Sequence, residues 1–264
     1  METVSNLSIA LMIFALLFGI AFPTGIAIYL RNRFKLSLKA FFTGCAVWVI
    51  FVMILERAFH TFLLTSSVGT TIVSNMWYYA LYGGLAAGLF EETGRLIAFK
   101  TVLRKEQSDD RHALLYGAGH GGVEVLILLG LGMINNIIYS ICLNTGHIAL
   151  LTAPLSPEQQ ATFQAVLDKL VATSPLAFLA GPVERISAMI LHVALSVLVW
   201  MAVTRKKAWL FPLAVFCHFF VDAVTVVISK SGASIALTEL VVFALVIPVS
   251  YLAWRLWKKS RVEL

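Results

Sequence analysis

Seven long apolar runs, separated by short polar breaks, limit the folds open to this chain of 264 residues. A helix that crosses about 30 Å of hydrocarbon needs about 20 mainly apolar residues, and each run has that length. Charged residues make up only 13% of the chain, against about 25% in soluble proteins. We therefore predict an all-α, polytopic membrane protein in which residues 1–264 form a single membrane domain. The predicted transmembrane helices lie near residues 7–30, 40–63, 76–102, 113–142, 175–203, 208–228 and 236–257.

The distribution of Lys and Arg predicts the orientation of these helices. Most of the 20 Lys and Arg residues lie in breaks that fall on one side of a seven-helix arrangement, and such residues favour the cytoplasmic side. The first run has no basic residue ahead of it and is longer than a signal-peptide core, so we expect it to be retained. We predict a multi-pass protein of the cell membrane with its N terminus outside and its C terminus cytoplasmic. The basic groups span residues 31–39, 100–111, 205–207 and 255–261.

This topology also explains the net charge of +6, so we predict no nucleic-acid partner. The cysteines Cys45, Cys142 and Cys217 lie in separate apolar runs, without the spacing of a disulfide framework or a zinc finger. The expected partners are membrane lipids and an unidentified membrane protein or peptide substrate. The sequence does not indicate an oligomeric state.

The only long loop, residues 143–174, is predicted to lie outside the cell and to contain an amphipathic helix. Ser156, Pro157 and Gln159 have the pattern of a capping box with Pro at the first helical position. Apolar residues from Phe163 to Val171 then recur on one helical face. This helix either packs on the bundle or covers a lateral entrance.

Ionisable residues inside the predicted helices are the strongest indication of function. A charge at the bilayer centre costs about 2.5–3.5 kcal/mol on insertion scales, so such residues face the protein interior and usually serve a function. Four successive helices over residues 76–228 each carry a polar stripe, and we predict that they form a four-helix core around the site. The stripes are Glu91, Glu92 and Arg95; His120 and Glu124; Glu184 and His192; and His218 and Asp222.

The stripes are expected to meet in one layer. At about 1.5 Å per residue from the nearest cytoplasmic basic residue, Glu92, Glu124, His192 and His218 all lie roughly 16–20 Å deep. Small residues beside the stripes allow helices to approach closely. These are the glycines at positions 83, 84, 88, 117, 119, 121 and 122.

Two chemistries fit such a layer. Histidines and a carboxylate match a catalytic zinc site with a further carboxylate as general base. Alternatively, a buried glutamate activates water without a metal, and histidines stabilise the oxyanion. A structural role is the alternative for the buried pair of Glu91 and Arg95. We interpret the adjacent pairs at 56–57 and 184–185 as interfacial, and we assign no role to the histidines at 60, 112 and 147.

The ordered set Glu91-Glu92-x-x-Arg95, His120-x-x-x-Glu124, His192 and His218-x-x-x-Asp222 resembles the YhfC family of intramembrane metalloproteases. That family is similar to the group containing type II CAAX prenyl proteases, bacteriocin-processing proteins, PrsW proteases and the gamma-secretase subunit APH-1. The resemblance covers roughly residues 76–228 and implies hydrolysis of a peptide bond in or near the membrane.

The resemblance also implies roles for individual residues. One of Glu91 and Glu92 activates water, Glu124 is the ligand of the second motif, and His218 with Asp222 binds metal or supports the oxyanion. The histidine pair of APH-1, a scaffold subunit, resembles His192 and His218. Two departures separate the chain from prenyl proteases: its arginine follows the second glutamate by three residues instead of four, and its second motif has Glu in place of His.

We therefore predict an intramembrane protease that uses zinc. The predicted catalytic residues are Glu91, Glu92, Arg95 and Asp222, and the predicted metal ligands are His120, Glu124, His192 and His218. The alternatives are a non-catalytic scaffold like APH-1 and an ion-coupled or proton-coupled transporter. The absence of internal repeats counts against a transporter.

Overall fold

The computed structural model describes residues 3–262 and is helical throughout this part of the chain, without β-strands. This confirms the prediction of an all-α polytopic membrane protein. We number the seven long helices α1 to α7. They are α1 (Asn6–Phe34), α2 (Lys39–Leu64), α3 (Met76–Lys100), α4 (Arg111–Asn144), α5 (Pro175–Thr204), α6 (Leu210–Lys230) and α7 (Ile235–Val262).

Among the described residues, six of these helices are long and apolar enough to cross a membrane. The exception is α3, whose 25 residues have sufficient length, about 38 Å at 1.5 Å per residue. Its composition differs because it carries Glu91, Glu92 and Arg95, all of which are buried in the protein. The predicted span at 76–102 therefore corresponds to α3, a helix long enough to cross the membrane whose polar residues are buried in the protein.

The described residues divide into two compact units. The smaller comprises the residues up to Phe22 together with Val125–Arg185, and the larger comprises Pro23–Glu124 and the residues from Ile186 onward. All of the predicted catalytic residues and metal ligands belong to the larger unit. The single membrane domain and the four-helix core over 76–228 remain predictions.

The smaller unit contains the amphipathic helix expected in the long loop, which runs from Pro157 to Ala172. Its capping box is formed: Gln159 N donates to Ser156 Oγ at 3.3 Å, and Ser156 N donates to Gln159 Oε1 at 2.9 Å. Its apolar face packs on the protein, since Leu170 is buried in a cluster with Met12. The contacts favour the packing interpretation of this helix.

Short helices and two π-helical segments complete the fold. Ser67–Ser74 connects α2 to α3, and Ala149–Thr152 precedes the loop helix. The helix α2 is π-helical over Val49–Glu56, and α4 is π-helical over Leu126–Leu131. Such segments are rare and frequently lie at functional sites.

Glycines bring the helices of the larger unit into close contact. A Cβ at Gly84 would lie 2.6 Å from the Phe219 carbonyl oxygen, so α3 and α6 meet backbone to backbone. A Cβ at Gly117 would lie 2.7 Å from Val193 Cα, so α4 approaches α5 in the same way. At Gly83 a Cβ would have no neighbour within 4 Å, so this glycine does not contribute to the expected close approach.

Candidate active site

The helix α3 supplies two adjacent glutamates and an arginine, all of which are buried. Arg95 Nη1 donates to Glu92 Oε1 at 2.6 Å, whereas Nη2 lies 3.5 Å from Glu91 Oε2. The spacing predicts a pair of Glu91 and Arg95, but the shorter bond joins the arginine to Glu92. One guanidinium thus partly balances two carboxylates in a layer where an unpaired charge would be costly.

Arg95 also connects α3 to α5. Its Nη2 donates to His192 Nδ1 at 2.7 Å, and its Nε donates to Ser196 Oγ at 3.3 Å. A guanidinium can only donate, so His192 Nδ1 accepts and carries no proton. The neutral ring then has its proton on Nε2, which lies 2.5 Å from Glu124 Oε2. His192 therefore links Arg95 to Glu124.

The helix α4 places His120 against the first glutamate. His120 is fully buried, and its Nε2 lies 2.7 Å from Glu91 Oε2. The opposite ring nitrogen, Nδ1, is buried without a hydrogen-bonding partner among residues 3–262. The rings of His120 and His192 are close neighbours, with centroids 5.1 Å apart.

The helix α6 places a third histidine against the second glutamate. His218 Nδ1 lies 2.7 Å from Glu92 Oε1, so this oxygen contacts both His218 and Arg95. His218 Nε2 lies 3.5 Å from Asp222 Oδ2 and 3.9 Å from Glu91 Oε1. Asp222 is the accessible member of the network, because its side chain is 37% exposed.

These contacts confirm that residues of the four predicted stripes converge in one layer. The exception is Glu184, which is half-exposed and pairs with the adjacent Arg185. The roles of the converging residues remain predictions.

Three of the converging side chains could hold a metal ion. Ligand atoms of Glu91, His120 and His192 all lie within 4.8 Å of one another, and all three residues are buried. Two imidazoles and one carboxylate are a donor set found in catalytic zinc sites.

This group differs in part from the predicted ligand set. It contains His120 and His192 as predicted, but its carboxylate is Glu91, which we predicted as catalytic. Glu124 lies against His192, and His218 lies 3.9 Å from Glu91, so each contacts the group without belonging to it. Metal binding by Glu124 and His218 therefore remains a prediction.

Sequence analysis missed Glu56, which we interpreted as interfacial together with Arg57. Glu56 is only 5% exposed, and its charge interacts with those of Glu91, His218 and Asp222. The available signal was the spacing of Glu56 and His60, the same i, i+4 pattern as in the second and last stripes. Arg57 is exposed, so the interfacial interpretation is retained for that residue alone. Ser196, which holds Arg95, was also missed.

Comparison with known proteins identifies the family of the chain. The chain matches the family described as YhfC intramembrane metalloprotease over residues 17–246. It is also 27% identical over 244 residues to a Bacillus subtilis (strain 168) protein named uncharacterized membrane protein YhfC, covering 91% of this chain and 93% of that protein. No solved structure matches the chain. The match over most of its length shows that the chain belongs to the YhfC intramembrane metalloprotease family.

Proposed function

We propose that this protein hydrolyses a peptide bond within or beside the membrane. The observation that carries the proposal is the buried group of Glu91, His120 and His192, which a second carboxylate, Glu92, adjoins in sequence and through Arg95. Buried ionisable residues in membrane helices are costly and usually serve a function. A purely structural layer would not need a metal-compatible group beside a second carboxylate.

We assign the metal-binding role to Glu91, His120 and His192, with zinc as the metal because imidazole and carboxylate donors suit it. Zinc supplies Lewis acidity and lowers the pKa of bound water. The ligands must be deprotonated to bind a metal, so a proton between His120 Nε2 and Glu91 Oε2, which lie 2.7 Å apart, would be given up there. Glu124 would accept from His192 Nε2 and so orient the ring.

Glu92 is the better candidate for the general base. Its Oε1 is held by Arg95 and His218 at 2.6 and 2.7 Å. Its Oε2 is buried and has no hydrogen-bonding partner in the described part of the chain. One oxygen therefore fixes the carboxylate, and the other can accept a proton from water and pass it to the leaving amine.

We assign His218 and Asp222 to contact with the substrate. His218 Nδ1 is used by Glu92, whereas Nε2 has only the longer contacts with Asp222 and Glu91. We assign Nε2 to the developing oxyanion, and Asp222, at the accessible edge, to orient it. Arg95 holds both glutamates in position. Its contact with His192 Nδ1 would give way to the metal, because this nitrogen lies on the side of Glu91, 3.7 Å from Glu91 Oε2.

The proposed topology places the N terminus outside and the C terminus in the cytoplasm, following the basic residues that flank the helices. The peptide substrate would then enter from the membrane, with lipids as the surrounding solvent. This orientation is tested by labelling single cysteines introduced at positions 147 and 206 with a reagent that does not cross membranes.

The decisive experiment combines metal content with cleavage. Detergent-purified wild type is compared with Glu92→Gln and with His120→Ala/His192→Ala, and Glu158→Gln, on the exposed face of the loop helix, is the matched control. A library of transmembrane peptides is incubated with each protein, and the products are identified by mass spectrometry.

We expect about one zinc per chain in wild type and in Glu92→Gln, none in the double variant, and cleavage by wild type and the control alone. Zinc loss in the double variant with unchanged cleavage would contradict the role of the metal. Equal cleavage by wild type and Glu92→Gln would contradict the role of Glu92. A monodisperse protein with neither metal nor cleavage would favour the scaffold alternative.

A further inference from the structure

Three buried polar atoms on α2 and α4 have no hydrogen-bonding partner within the part of the chain that the structure describes. They are Trp48 Nε1 on α2, and the Tyr116 hydroxyl oxygen and His120 Nδ1 on α4. All three side chains are at most 2% exposed. An unpaired buried polar group is costly, and such a group usually bonds to an ordered water or an ion. The proposed hydrolysis assigns no role to any of the three atoms.

The backbones of α2 and α4 meet at this place. A Cβ at Gly44 would lie 2.3 Å from the Tyr116 carbonyl oxygen and 2.8 Å from His120 N. Trp48 follows Gly44 by one helical turn, so the two residues share a face of α2. This face packs on Tyr116 and His120, and it brings the buried indole of Trp48 to the same contact between the helices.

Tyr116 lies one turn before His120 on α4 and is in contact with both the apolar packing and the site. Its ring packs edge-on against Phe99, with centroids 4.6 Å apart, and its centroid lies 5.9 Å from that of His120. Its hydroxyl interacts with the charge of Arg95. The ring thus contributes to helix packing, while the polar end of the side chain lies near the polar residues of the site.

His120 needs a partner for Nδ1 in either of its neutral forms. With the proton on Nε2, which lies 2.7 Å from Glu91 Oε2, Nδ1 is an acceptor. With Nε2 on a metal, the proton is on Nδ1, which becomes a donor. Histidines that bind metals almost always donate this second N–H to another group, which fixes the orientation of the ring. A partner for both forms must donate and accept, as a hydroxyl or a water can.

We propose that Trp48 Nε1, the Tyr116 hydroxyl and His120 Nδ1 bind one buried water, and that this group orients His120 for the metal. The inference rests on the metal-binding role that is proposed for His120. A buried water makes about three hydrogen bonds to groups that would otherwise be unpaired, which matches the three atoms. Tyr116 and Trp48 are therefore positioning residues, which act on the metal site through His120.

The hydrogen bonds of this group balance in both forms of His120. The indole N–H always donates to the water. In the metal-free protein the water donates to His120 Nδ1. With a metal on Nε2, the water accepts from Nδ1 and donates to the Tyr116 hydroxyl oxygen. The water therefore serves both forms without any change in the charge of the three side chains.

The Tyr116 carbonyl oxygen is the competing partner for His120 Nδ1. It lies one turn before His120 and accepts from His120 N within the helix. A carbonyl can only accept, so it would serve the metal-bound form alone. Tyr116→Phe keeps this carbonyl and removes the hydroxyl, so this variant separates the two partners.

The test measures the zinc affinity of the full chain, purified in detergent and titrated against a competing chelator. Wild type is compared with Tyr116→Phe and Trp48→Phe, which remove the hydroxyl and the indole N–H. Tyr139→Phe, at a half-buried tyrosine of the same helix, is the matched control. We expect zinc to bind about 10–100-fold more weakly to Tyr116→Phe, as is typical when a metal-binding histidine loses its second partner. Trp48→Phe should bind zinc more weakly than wild type, and the control should bind it equally well.

A second measurement needs no metal. In the metal-free protein with isotope-labelled histidine, the nitrogen NMR resonance of His120 Nδ1 is identified by its absence from His120→Ala. It should move in Tyr116→Phe, because the nitrogen shift of an imidazole depends on the hydrogen bond that its lone pair accepts. It should stay in place in Tyr139→Phe. Because phenylalanine keeps the packing of the ring, a purely structural role of Tyr116 would leave the resonance unmoved.

Wild-type zinc affinity in Tyr116→Phe or in Trp48→Phe would overturn the inference, as would weaker binding with an unmoved His120 resonance. Should Trp48→Phe fail to fold, Tyr116→Phe decides alone. A wild type that binds no zinc refutes the proposed metal-binding role, and the resonance then decides on the hydrogen-bonded group by itself. Zinc bound with equal affinity by wild type and Tyr116→Phe refutes the positioning of His120 alone and leaves the proposed function in place.

Discussion

The same three helices form two buried layers of opposite chemistry, one helical turn apart. On α3, Arg95 lies in the polar layer and Phe99 in an aromatic layer; on α4, His120 and Tyr116 are divided in the same way. The Phe99 ring lies 4.6 Å from that of Tyr116 and 5.0 Å from that of Trp200 on α5, in edge-on geometry. Arg95 and His120 of the polar layer are as fully buried as Phe99, Tyr116 and Trp200, so burial alone does not distinguish the site from the packing core.

The two layers differ in how their burial affects the stability of the protein. In lipid, apolar side chains gain little from leaving the solvent, and helices associate through close packing and interhelical hydrogen bonds. The aromatic layer supplies such packing, and Trp200 Nε1 donates to Asp110 at 3.0 Å at its edge. The polar layer places two carboxylates and one arginine where each unpaired charge is costly. We therefore expect the aromatic layer to determine stability and the polar layer to determine activity.

The largest expected effect is that of Glu92→Gln. Glutamine keeps the size of the side chain but cannot take a proton from water, so cleavage should fall by about 10²–10⁴-fold, as expected for loss of a general base. The thermal unfolding temperature in detergent should change little. Cleavage is measured from initial rates on the transmembrane peptide, and Glu158→Gln is the control. Cleavage close to that of wild type would exclude Glu92 as the base.

Next in size is Phe99→Ala in the aromatic layer. Removing a fully buried phenylalanine leaves a cavity that typically costs about 3–5 kcal/mol of unfolding free energy. The unfolding temperature should fall, while the turnover of the molecules that remain folded should be kept. Phe62→Ala is the control, because the Phe62 side chain is 77% exposed. Loss of turnover without loss of stability would show that the two layers are not separable.

The sequence predicts the helices and the meeting of their polar stripes, but not every residue that is buried beside them. The bounds of α6, predicted at 208–228 and observed at Leu210–Lys230, follow directly from polar breaks in an apolar chain. The convergence of stripes also follows, because helical spacing and depth are properties of the chain. The position of Glu56 in the protein interior does not follow, since it depends on which helices pack against α2.

The group of Glu91, His120 and His192 also shows what the sequence alone does not predict. Glu91 and Glu92 are adjacent on one helix, and the positions of His120 and His218 on neighbouring helices distinguish their surroundings. The sequence identifies two carboxylates, but their division into a metal-binding residue and a base depends on side-chain contacts between helices. For this reason the predicted set has Glu124 where the structure groups Glu91.

A smaller effect is expected for Arg95→Lys. Lysine keeps the charge but cannot contact Glu92, His192 and Ser196 together, as the guanidinium does. Loss of such orienting contacts typically lowers activity or metal affinity about 10–100-fold. Turnover and zinc affinity are measured together, with Arg57→Lys as the exposed control. Unchanged values would show that charge alone, rather than geometry, is required in the polar layer.

The smallest effect is expected at an ion pair beside the aromatic layer, between Asp109 and Arg111. The Arg111 guanidinium donates to Asp109 at 2.6–3.0 Å and holds the pKa of that carboxyl below its usual range. Because both side chains are partly exposed, Asp109→Asn should destabilise the protein by less than about 1 kcal/mol at pH 7.

The pH dependence of this small effect distinguishes the ion pair from simple packing. A carboxyl whose pKa is lowered on folding contributes stability above its unfolded pKa of about 3.9, and that contribution is lost as the pH falls through the folded value. The difference in unfolding temperature between wild type and Asp109→Asn should therefore be present at pH 7 and disappear in acid. A constant difference at all pH values would show that the charge of Asp109 contributes nothing; asparagine can still accept from the Arg111 backbone through Oδ1, so that hydrogen bond is kept in both proteins. In that case the ion pair of Asp109 and Arg111 adds nothing to stability. Charge would then matter in the polar layer and not beside the aromatic one.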